Sequence, residues 1–100
     1  MKKKEGTKKM ISVIKRDGHR ATYDRNKIVS AIQKANTEVD QEERINEEQI
    51  YNILASIENR GFDEMAVEDI QDIIEQKLMA EKKFVLAKTY IIYRLPIEYH

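Results

Sequence analysis

Beyond the first ten residues, apolar and polar positions alternate and then settle into a helical period. In the extended segment Ile11–Arg16, Ile11, Val13 and Lys15 share one face, and Ser12, Ile14 and Arg16 share the other. A second extended segment, Arg20–Tyr23, puts Ala21 and Tyr23 together. Asp17-Gly18 between the two is a hairpin signal, and the spacing predicts a type I′ turn in which Gly18 takes a positive φ. A lone hairpin is marginal in water, so this one must lie on something.

Four helical patterns follow. Ile28, Ala31, Ile32 and Ala35 form an i, i+3, i+4, i+7 stripe over about Arg25–Asn36, with Asp24 as its cap. After a polar, acidic connection, Asn46 and Gln49 make a capping box, flanked by Ile45 and Ile50 at hydrophobic-staple spacing. The stripe Ile50, Ile53, Leu54, Ile57 continues to Asn59-Arg60-Gly61, where the glycine can close the helix in a left-handed conformation. Phe62–Met65 leads into a third helix, Val67 to about Ala80, with Val67, Ile70, Ile73, Ile74 and Leu78 inward. The fourth, Lys83–Arg94, is apolar nearly all round, which predicts a place in the middle of a bundle, and Pro96 is expected to end it. The order describes an α+β, mainly α domain: a four-helix bundle capped by a small β-hairpin or three-stranded sheet. Residues 1–10 form a basic arm ahead of a folded domain over 11–95, and 96–100 read as a C-terminal end or a linker to a further, catalytic domain.

Composition narrows the chemistry. One hundred residues make one small domain, and the absence of cysteine excludes disulfides, zinc ribbons and thiol nucleophiles. No apolar run approaches the roughly twenty residues that span a bilayer, so no membrane partner and a cytoplasmic location are expected. Net charge is zero but unevenly spread: residues 1–27 carry ten Lys/Arg against three Asp/Glu, and 38–81 carry three against fourteen. A basic patch on an acidic body suits a compact polyanion better than a long nucleic-acid strand. Lys27, in the first turn of a helix, opposes the helix dipole; a phosphate bound there would offset the cost, and a lysine pointing to solvent is the alternative.

Several functions fall away. With only His19 and His100 and no Gly-x-Ser-x-Gly elbow, hydrolytic nucleophile systems are absent. Three scattered glycines, Gly6, Gly18 and Gly61, supply neither a Walker loop nor a dinucleotide fingerprint. The acids Glu64, Glu68, Asp69 and Asp72 read as a solvated face, with no metal site expected from protein side chains. A nucleotide here must be held by cationic side chains and a helix start.

Four blocks then match a known family. Val13-Ile14-Lys15-Arg16-Asp17-Gly18, Tyr23-Asp24-x-x-Lys27-Ile28, Val67-Glu68-Asp69-Ile70-Gln71-Asp72-Ile73-Ile74 and Ala87-Lys88-x-Tyr90-Ile91-x-Tyr93-Arg94 resemble the ATP-cone domain, over about residues 11–95. This is the N-terminal regulatory module of ribonucleotide reductases, also found behind a zinc ribbon in the repressor of reductase genes. The resemblance implies a four-helix bundle with a sheet cap and no catalysis by the domain itself. It implies binding of ATP or dATP with Mg²⁺ as effector, a reductase catalytic domain or subunit as partner, and an effector-dependent homo-oligomer in which ATP favours activity and dATP shuts it down. By that resemblance Lys15, Arg16 and Lys27 would hold the triphosphate, with Lys88 and Arg94 as further phosphate contacts. Val13, Ile28 and Ile70 would line the base pocket, and Gln71 would meet base or sugar. The alternatives are the cone of a transcriptional repressor, against which the missing cysteines count, and a helical interaction module whose basic arm touches nucleic acid.

Overall fold

In the computed structural model, residues 11–99 are described, with side chains as far as Tyr93; the basic arm expected over 1–10 lies outside the described residues. The elements are β1 (Ser12–Ile14), β2 (Arg20–Thr22), α1 (Arg25–Thr37), a short 3₁₀ turn (Gln41–Glu43), α2 (Glu47–Glu58), β3 (Glu64–Ala66), α3 (Val67–Ala80) and α4 (Phe84–Tyr99). The order is the mainly α, sheet-capped bundle read from the sequence.

The sheet has three strands in the order β2-β1-β3. β1 pairs antiparallel with β2, Val13 opposite Ala21, and parallel with β3, Val13 opposite Met65. Residues directly opposite share a face, so Val13, Ala21 and Met65 point together. β3 is where a simple lead-in to the third helix was expected. Its three residues carry no strand pattern of their own, and pairing with β1 sets their conformation.

The hairpin turn also departs from expectation. The Gly18 amide donates to the Lys15 carbonyl (2.9 Å) and the Lys15 amide to the His19 carbonyl (2.8 Å). Among residues 16–18 only Gly18, at φ +90°, is left-handed. This is a three-residue loop, a type I turn closed by a glycine bulge, in place of a type I′ turn. The Asp17 carboxylate accepts from both the His19 amide and its ring Nδ1, which holds its pKa below the usual carboxylate value.

Caps fix the helix starts. Asp24 accepts from the Asn26 amide at the head of α1, and Asn46 and Gln49 form the reciprocal capping box on α2. Ile45 and Ile50 are both buried, as a staple requires. Gly61, left-handed at φ +80°, turns the chain two residues past the α2 C-cap. α3 ends in a Schellman motif: the Lys82 amide donates to the Met79 carbonyl and the Lys83 amide to Leu78. Here a lysine holds the left-handed position, at φ 62°. Side chains avoid that region, so Lys82→Gly should stabilise the domain by up to about 1 kcal/mol after glycine's entropy is deducted. A thermal melt checks this; a melting temperature at or below that of the parent would contradict it.

The core runs the length of the bundle. Ile32, Leu54, Ile57, Ile74, Leu78 and Leu86 are fully buried, and Ile11 and Met65 join them from the sheet side. α4 corrects the expectation of burial all round. Leu86, Ala87 and Tyr90 are buried, while Phe84, Val85 and Ile92 are more than half exposed. It also continues through Pro96 to Tyr99. Proline's fixed φ is helical, and a proline inside a helix forgoes one backbone hydrogen bond without forcing the chain to stop.

Candidate functional site

Where the sheet crosses the bundle, a cavity of about 100 Å³ opens to solvent between β1, β2, the head of α1, the head of α3 and α4. Its apolar walls are Val13 and Ala21 from the sheet, Ile28 and Ala31 from α1, and Val67 and Ile70 from α3, with Tyr90 from α4. Strand alternation puts Val13 and Lys15 on the side facing the helices. The α1 stripe presents Ile28 and Ala31 one turn apart, and the short Ala31 side chain leaves the space that a larger residue would fill.

Polar groups ring this apolar interior. Lys15 and Lys27 line the cavity from the hairpin and from the first turn of α1, together with Thr22, Tyr23 and Asp24. Gln71, the one buried polar residue among those described, lines it from α3. Lys27 borders the cavity from the first turn of α1 while remaining exposed to solvent. The Asn26 amide is taken by the Asp24 carboxylate at 3.0 Å, so an anion at this mouth would meet lysine side chains more than free helix amides.

The expected site residues divide. Val13, Lys15, Lys27, Ile28, Ile70 and Gln71 line the one cavity. Arg16 does not; the turn carries it outward to within 3.7 Å of the Glu68 carboxylate. Lys88 is exposed on the side of α4 away from the buried Leu86, Ala87 and Tyr90. The side chain of Arg94 lies outside the described residues.

Ala21, Thr22, Tyr23, Asp24, Ala31, Val67 and Tyr90 complete the lining beyond the expected site residues. The pairing of Ala21 with Tyr23 on one strand face and the small Ala31 within a stripe of isoleucines were the available signals.

The Tyr23 hydroxyl donates to Glu58 Oε2 at 2.7 Å; burial first, and then this hydrogen bond to a carboxylate, push its pKa well up. Glu58 also accepts from Arg25, Nε to Oε2 at 3.0 Å and Nη2 to Oε1 at 3.2 Å. Arg20 pairs with Glu64 between the hairpin and β3.

Among the described residues no group of three or more His, Cys, Asp or Glu side chains could hold a metal ion, and no helix is long and apolar enough to cross a membrane. The site has the makings of a pocket for a flat apolar ring carrying an anionic tail.

Comparison with known proteins bears on which ligand that is. The family model described as ATP cone domain matches residues 11–96. Over 85 residues the chain is 39% identical to an anaerobic ribonucleoside-triphosphate reductase of Haemophilus influenzae, covering 84% of this chain and 12% of that protein. Over 88 residues it is 36% identical to a vitamin B12-dependent ribonucleoside-diphosphate reductase of Thermoplasma acidophilum, covering 82% of this chain and 11% of the reductase. It is also 34% identical over 70 residues to the transcriptional repressor NrdR of Dictyoglomus thermophilum, covering 70% of this chain and 47% of the repressor. The chain thus spans only a small part of the length of these reductases.

Proposed function

The chain belongs to the ATP-cone family, and from that premise we propose that it is a regulatory domain that binds a purine nucleoside triphosphate, ATP or dATP, in the cavity between sheet and bundle. One observation carries the reading: an apolar slot built from Val13, Ile28 and Ile70 has Lys15 and Lys27 at its rim. The base enters among the apolar side chains, with Gln71 offering a polar contact to base or sugar. The triphosphate lies at the mouth along the two lysines. Charge-assisted bonds from lysine to phosphate are about twice as strong as neutral ones, so two cations on a flexible tail give most of the polar grip.

Mg²⁺ accompanies the nucleotide. The carboxylate nearest the rim, Asp24, is committed to capping α1 through the Asn26 amide. The ion would be held chiefly by the phosphate oxygens, and it would offset phosphate charge.

The proposed role is to report nucleotide balance to a ribonucleotide reductase through effector-dependent association. A ligand shifts such an equilibrium only by its differential affinity for the two states. The domain itself carries no catalytic step. The match to NrdR supports a second reading, in which the same cone serves a repressor of reductase genes.

Calorimetric titration with ATP, dATP, GTP and a short DNA duplex tests the binding. Saturable, adenine-selective heat is expected. Binding to DNA alone, falling steeply with salt, would replace this reading with a nucleic-acid module. A variant that fills the slot is a sharper probe: Ala31→Leu should weaken ATP binding at least about fivefold, since overpacking at a well-fitted surface costs about 1–3 kcal/mol. Unchanged affinity in that variant would place the base elsewhere.

A further inference from the structure

The geometry points to Glu58 as a positioning residue that clamps the β2–α1 junction, and with it one wall of the cavity, to the end of α2. This rests on the cavity being the nucleotide site; the clamp itself stands on contacts that involve no ligand.

Glu58 is the last residue of α2, a place where the helix dipole disfavours an anion. Its carboxylate there takes three donors from a segment more than thirty residues earlier in the chain. The Tyr23 hydroxyl reaches Oε2 at 2.7 Å, and Arg25 forks onto both oxygens at 3.0 and 3.2 Å. The Arg25 guanidinium also lies 5.4 Å from the centre of the Tyr51 ring, two turns back on α2. Tyr23 is wall, Asp24 is both lip and helix cap, Arg25 opens α1, and Lys27 is the rim cation. Glu58 thus grips the residues on either side of Asp24, four and two positions from Lys27, although it does not itself line the cavity. Among the described residues, between β2 and α1 only the Tyr23 amide, bonded to the Ile11 carbonyl at 2.8 Å, ties the backbone back to β1, so this fork fixes where the wall and the lysine stand.

The consequence is arithmetic. If only the clamped arrangement binds, apparent affinity falls by the fraction of molecules in which the clamp is closed. Glu58→Gln keeps the size of the side chain and removes its charge, and Tyr23→Phe removes one hydroxyl. Each should speed amide hydrogen exchange at residues 23–27 more than elsewhere in the molecule, and should weaken ATP binding about tenfold for Glu58→Gln. The double variant should be little worse than Glu58→Gln, because both changes open the same contact.

Ile57→Val, one residue away in the core, is the control for a general loss of stability, and it should lower the melting temperature without changing affinity. Unchanged exchange at 23–27 in Glu58→Gln would overturn the clamp, as would affinity that falls equally in Ile57→Val. A parent protein that binds no nucleotide would instead contradict the proposed function, while the exchange measurement still judges the clamp.

Discussion

Lys27→Ala is expected to weaken ATP binding by about ten- to a hundredfold, the worth of a hydrogen bond to a charged group at about 1.5–3 kcal/mol. The same change should leave the fold intact or slightly firmer. Lys27 sits in the first turn of α1, where removing a cation relieves about 0.3–1 kcal/mol of unfavourable dipole interaction. Loss of binding with a steady or raised melting temperature is a combination that a structural role would not give. Lys15→Ala should behave alike in titration, because Lys15 lines the same cavity from the hairpin. Lys88→Ala, on the outer face of α4, should stay within about twofold of the parent. Equal losses in all three would indicate a diffuse electrostatic attraction and not a built site.

The largest effect on stability is expected at Ile74. Its side chain is fully buried in α3, within the hydrophobic core. Ile74→Ala removes buried methyl groups and leaves a cavity, at about 2–5 kcal/mol. A domain of this length holds only about 5–15 kcal/mol in all. The midpoint of a urea melt should fall sharply with an unchanged slope. Ile92→Ala, at a position 65% exposed, should move it by no more than about 0.5 kcal/mol. Similar losses at both sites would mean that α4 is seated differently.

Most of the frame was legible because it is local. The Asp24 cap, the Asn46–Gln49 box and the isoleucine stripes each need only neighbours in sequence, and each stands where its pattern put it. What was not legible depends on partners far along the chain. Glu64-Met65-Ala66 has no strand signature, and only β1 makes it extended.

The turn is the instructive case. A two-residue loop at Asp17-Gly18 would set Ile14 opposite Ala21; the observed three-residue loop sets Val13 there instead. That slip of one residue decides which strand face meets the helices, and it brings Val13 to the same face as Ala21. Both turns place a left-handed glycine at Gly18, so the dipeptide could not separate them.

The site was legible to the same extent. Alternation alone separates Lys15, on the side of Val13, from Arg16, which the turn sends toward Glu68. The fork from Glu58 to Tyr23 and Arg25 had no local signal, since its members meet only when the end of α2 reaches the β2–α1 junction.

The most direct test is a nuclear magnetic resonance titration of the methyl and amide signals with Mg–ATP. The account predicts saturable shifts concentrated at Val13, Ile28, Ile70 and the Gln71 side-chain amide, with Lys15 and Lys27 next, while Ile92 and Val85 stay still. Shifts gathered on the outer face of α4, with the methyl groups of the slot unmoved, would contradict it.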